Sequence, residues 1–72
     1  MRDFFTAIAI QREGCWIGWV AEVPGVNAQA ATRGGLLVDL RSALGEALEM
    51  NRADAVAAAG AEPFEEVPIA IA

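Results

Sequence analysis

Few side chains in this sequence could do chemistry. It has one cysteine, Cys15, and no histidine. A zinc site of Cys and His ligands cannot be assembled within one chain from that set. Neither can a Ser/His/Asp or Cys/His nucleophile system. Cys15 follows Gly14 with no cluster of cations around it in sequence, so it reads as a structural thiol. The acidic residues Glu46, Glu49, Glu65 and Glu66 read most simply as solvated surface. The sharper reading is a surface that steers a basic protein partner, which the absence of Lys favours slightly. Arg2, Arg12, Arg33, Arg41 and Arg52 are scattered. Phosphate binding needs clustered positive charge, so direct nucleic-acid binding is not expected. No catalytic residue, metal or cofactor is expected.

The chain has 72 residues and a net charge of −5. Its mass is 7.6 kDa and its pI about 4.4. That is one domain over residues 1–72. Sixteen residues are Ala, so the 56% hydrophobic content overstates the bulk available to a core. Oligomerisation commonly supplements a core of this size. One Cys excludes an intramolecular disulfide framework. No apolar run reaches membrane-spanning length, and the N-terminus lacks the apolar stretch of a signal peptide. A soluble, cytoplasmic protein with no membrane partner is expected.

The elements that would position these residues follow from periodicity. Residues 4–10 alternate in size as a first strand, and Gln11-Arg12-Glu13-Gly14 suits a hairpin turn. Residues 15–23 resume the alternation, with Ile17, Trp19, Ala21 and Val23 on one face. Trp16, Gly18, Val20 and Glu22 share the other. Pro24-Gly25 punctuates the chain, and residues 26–31 read as a third strand. Thr32 is a candidate N-cap. From there Leu36, Leu37, Leu40, Ala43, Leu44, Ala47 and Leu48 form a helical stripe. Residues 53–59 are Ala-rich and continue the helix to a stop at Gly60, with an overhang or a break near Asn51. Val67, Ile69 and Ile71 alternate as a last strand, which Pro68 confines to an edge or a bulged start. The α+β order is β-β-β-α-β. A right-handed crossover gives sheet order 3-2-1-4 with the helix on one face.

The stretch from Gly14 to Met50 resembles the HicB family of antitoxins. The residues that carry the resemblance are Gly14, then Trp19-Val20-Ala21-Glu22-Val23-Pro24-Gly25-Val26, then Gln29 and Thr32. A Leu/Ala helix with Ala43-Leu44 and Ala47-Leu48 follows, and the tail Gly60-Ala61-Glu62-Pro63-Phe64 with its alternating strand is also similar. Ala30 replaces the family's Gly after Gln29, and Gly34-Gly35 stands where a capping-box Glu often lies. The resemblance implies a truncated ribonuclease-H-like unit that binds and neutralises HicA, a small RNA-cleaving toxin. Many members add a C-terminal DNA-binding domain, and the short form without one is expected here. A ribonuclease-H-like nuclease would need converging carboxylates, one of them inside the first strand. Residues 4–10 hold no acid; Asp3 precedes them, and Asp39, Glu46 and Glu49 fall on the helix. Enzymatic activity is therefore not expected to accompany the fold.

Binding surfaces follow. Trp19 is expected in the core beneath the helix. Phe5, Trp16 and Val20 are expected on the uncovered sheet face, as an interface closing a dimer or tetramer. Glu46 and Glu49 are expected to meet a basic toxin. Gly14, Pro24, Gly25 and Thr32 are expected to shape turns and the helix cap. The leading function is a HicB-like antitoxin acting by protein–protein binding. The alternative is a stand-alone oligomeric domain binding another protein or a small ligand. A metal-dependent nuclease is a distant third.

Overall fold

The computed structural model describes residues 4–71. Arg2 and Asp3 lie outside them. β1 (Ala7–Arg12), β2 (Cys15–Val20) and β3 (Asn27–Ala30) form a three-stranded antiparallel sheet in the order β1-β2-β3. α1 (Arg33–Ala58) crosses one face. This is the expected small α+β fold, with β2 in the centre.

The turns explain the strand limits. Glu13 and Gly14 both have positive φ, 50° and 77°, the backbone of a two-residue hairpin whose twist matches its strands. β1 therefore runs on to Arg12, past the expected end at Ile10. It starts later than Phe4 because the Thr6 N–H donates to the Glu22 carboxylate at 2.7 Å. β2 ends at Val20, short of Val23, because the chain turns back on itself there. The Val23 N–H donates to Val20 O at 3.3 Å, and the Val26 N–H to Val23 O at 3.4 Å. In the second of these turns Pro24 takes the position suited to its fixed φ, and Gly25 takes the next at φ 88°.

Thr32 caps the helix as expected: its Oγ1 accepts from the Gly35 N–H at 3.0 Å. Gly35 is not merely a weak helix former. A Cβ there would lie 3.0 Å from Thr32 Oγ1 and 3.5 Å from Ala30 Cβ. Close packing against the cap thus replaces the capping box. The helix runs unbroken through Asn51 for 26 residues, about 39 Å, and Gly60 (φ 64°) follows it. Ala47 is the last helical residue packed on the core. The remaining three turns overhang the sheet.

The two sheet faces are the reverse of the expected assignment. The buried core is Val20, Val23, Val26, Leu36 and Leu40, with Phe5, Trp16, Ala28, Ala30, Ala43, Leu44 and Ala47 packed on it. Trp16 and Val20 therefore lie beneath the helix, and Trp19, 42% exposed, lies on the open face. The cause is at Gly18. In the ladder it is flanked by Ala9 and Ala28, a row with almost no side-chain height. A Cβ on Gly18 would fall 3.0 Å from Leu36 Cδ2 and 2.5 Å from Ile8 O. The helix takes the flatter face because Leu36 and Leu40 can descend into it, which a row of Ile and Trp would prevent.

No fourth strand forms among the described residues. Residues 61–71 are exposed and without ladder bonds. Val67, Ile69 and Ile71, expected on that strand, are exposed, Ile69 at 86%. Glu66 pairs with Arg52 at 2.6 Å, so the tail runs back along the overhanging end of α1.

Candidate interaction surfaces

Three surfaces are built by these elements. The first is a groove of about 310 Å³ between β1 and α1, lined by Phe4, Phe5, Ala7, Leu37, Leu44 and Arg41 among others. It opens because the helix packs chiefly over β2 and β3, leaving Ala7 and Ala9 of the edge strand uncovered. Of the expected interface residues, Phe5 and Val20 line this groove, while Val20 is otherwise buried. Neither they nor Trp16 belongs to the uncovered sheet face.

The second surface is the open face. Antiparallel partners share a face, so Ile8 stands beside Trp19, and Ile10 beside Ile17. Asn27 and Gln29 continue the two rows on β3, and Arg12 with Cys15 closes the hairpin end. Sequence reasoning missed these four large residues as a surface. The readable signal was the small set Ala7, Ala9, Gly18, Ala28 and Ala30, which marks where a helix can come close.

The third surface is the outer helix. Glu46 and Glu49 are exposed, three residues apart on the helix. Exposed Val38 and Met50 interrupt the polar surface of the same helix. The Glu66 carboxylate, by hydrogen bonding and by charge, holds the fully exposed Arg52 guanidinium above its ordinary value.

The half-buried Cys15 thiol donates weakly to Ala30 O of β3 at 3.6 Å and lies 3.7 Å from the neighbouring Trp16 O. No group of three or more His, Cys, Asp or Glu side chains among the described residues could hold a metal ion. No helix of the described residues is long and apolar enough to cross a membrane. The chain matches no family model, no curated protein and no solved structure.

Proposed function

We propose that this chain is a HicB-like antitoxin that acts in the cytoplasm without catalysis, occluding a small basic RNA-cleaving toxin of the HicA type. The observation that carries the reading is the order of its parts. A Gly14 hairpin, a central strand ending in a Pro24-Gly25 turn and a Thr32-capped Leu/Ala helix follow one another as in that family. They are folded here as one β-β-β-α unit. The charge supports it: net −5 with no Lys, and Glu46 and Glu49 exposed on the helix. A toxin that grips RNA must present positive charge, and an acidic protein competes for that surface.

The finer architecture we infer is the β-β-β-α-β ribonuclease-H-like unit in sheet order 3-2-1-4, with residues 67–71 as the fourth strand beside β1. Directions favour it. α1 folds back from the end of β3, and the Arg52–Glu66 pair turns the tail back along α1. A strand continuing that way runs parallel to β1 and past the apolar groove, which Val67, Ile69 and Ile71 can fill. The groove also favours the second reading, a stand-alone domain that holds an apolar ligand there, since its volume is at the lower end for ligand sites.

Co-expression with the adjacent basic reading frame tests the function. Co-purification and rescue of growth are the expected results. A frame that is toxic alone and is neither bound nor neutralised by this chain sinks the antitoxin reading and leaves the ligand-binding one.

A further inference from the structure

The free edge of β1 can be read from the bonds on its other side. The Ala21 N–H donates to Thr6 O at 2.9 Å, and the Thr6 N–H donates to Glu22 on that same side. Main-chain groups alternate sides along a strand, so Ile8, Ile10 and Arg12 also turn theirs toward β2. Ala7, Ala9 and Gln11 therefore point their N–H and C=O groups away from the sheet. Their side chains lie on the helix side, where Ala7 lines the groove with Phe5, Leu37 and Leu44. An open edge beside an apolar groove is the setting in which an extended segment adds as a strand.

The chain carries a segment with the matching pattern. Val67, Ile69 and Ile71 alternate with Pro68 and Ala70, and all three are exposed. The tail leading to them lies along α1 by more than its ion pair. Phe64, Glu65 and Glu66 line one cavity with Arg52, Ala55 and Val56. The helix starts beside Ala30 and comes level with Ala7 at Leu44, so it runs opposite to β1. A tail returning along it runs parallel to β1.

Two separate arguments give one register. The first is reach. Leu44 precedes Arg52 by about 12 Å of helix. An extended chain leaving Glu66 covers that distance in about three to four residues, at Ile69 or Ala70. The second is Pro68. In a parallel ladder, a residue facing its neighbour bonds to the residues before and after the one opposite it. With Ile69 opposite Ala7, the Ala7 N–H meets Pro68 O, the Ala70 N–H meets Ala7 O, and the Ala9 N–H meets Ala70 O. With Val67 opposite Ala7, the Ala7 carbonyl would face the Pro68 nitrogen, which has no hydrogen to give.

We infer that residues 67–71 are a strap that closes over the groove as a strand parallel to β1, with Ile69 opposite Ala7 and Ile71 opposite Ala9. The inference rests on the fourth-strand architecture proposed above and adds its register and its reversibility. Burying these branched side chains gains free energy of the same order as ordering their segment costs. The strap therefore exchanges between the open form of this structure and a closed one. An apolar ligand in the groove and the seated strap exclude each other.

Amide exchange and cross-strand proton contacts of the full chain, measured by NMR beside Ala70→Pro, test it. The Ala7 and Ala9 amides are expected to exchange roughly tenfold or more slower in the wild type than in the variant, at any protein concentration. The Ile8 and Ile10 amides, which face β2, are expected to be slower still and unchanged by the variant, which shows that its fold is kept. The dye anilinonaphthalene sulfonate is expected to emit more strongly with the variant, whose groove stays open. Contacts of Ala7 with Ile69 and Ala70 are expected; contacts in another register overturn the inference and leave a fourth strand standing. Ala7 and Ala9 amides as slow as those of Ile8 and Ile10 make the strand permanent and overturn the strap alone. Equal exchange of Ala7 and Ala9 in the two proteins overturns strap and fourth strand together. Protection that grows with concentration gives the groove to a second copy and also overturns the inference, as does equal dye emission.

Discussion

Single residues decide this fold where backbone geometry or height is at stake. Glu13 adopts φ 50° in a turn that prefers Asn or Gly. Glu13→Asn is expected to stabilise the protein by about 0.5 kcal/mol in denaturant unfolding, because it relieves a non-glycine residue in the left-handed region. Gly18 is the opposite case. Gly18→Ala forces a methyl against Leu36 and the β1 backbone, and is expected to cost about 1–3 kcal/mol in the same measurement. Thr32→Ala removes the side-chain acceptor for Gly35 and is expected to cost about 1 kcal/mol. The turn and cap residues Gly14, Pro24, Gly25 and Thr32 were legible in the sequence because their chemistry is local. The role of Gly18 was not. Its meaning depends on Ala9 and Ala28, which only strand pairing places at its sides.

At the scale of elements, alternation and helical period identified three strands and the helix. They misjudged the strand ends, because two backbone-bonded turns and the Thr6–Glu22 bond intervene. Alternation also separates two faces without saying which one the helix takes. The uniformly apolar row Ile17, Trp19, Ala21 and Val23 pointed Trp19 to the core, whereas close approach of Leu36 and Leu40 selected the flatter side. The helix crosses Asn51 without a break because the Ala-rich stretch after it sustains propensity without packing on the sheet. Its last three turns therefore have local rather than global stability. Ala57→Gly is expected to speed amide exchange there while leaving the unfolding midpoint nearly unchanged. The Arg52–Glu66 pair is exposed on both sides, so it contributes little and salt weakens it. Arg52 is held above its ordinary value, so the part of stability linked to its own titration is present below that value and is lost as pH rises through the higher folded one. Across ordinary acidic and neutral pH, Arg52 itself adds no pH dependence to stability.

The whole molecule reads as two layers with different outer faces: a helix of mixed charge on one side and a sheet face rich in Ile and Trp on the other. On the proposed function a basic protein meets the helix layer, where Glu46 and Glu49 are exposed. Charge steering belongs to that proposed contact. Glu46→Gln with Glu49→Gln is expected to slow association with the toxin, and added salt to slow it for the native chain, because the Debye length falls from about 10 Å at 0.1 M to about 3 Å at 1 M. The most direct measurement of function is RNA cleavage by the purified basic protein of the adjacent frame, titrated with this chain. Cleavage is expected to fall to zero at a fixed molar ratio, with no RNA cleaved or bound by the chain itself. Cleavage that continues unchanged at a large excess of the chain contradicts the antitoxin function.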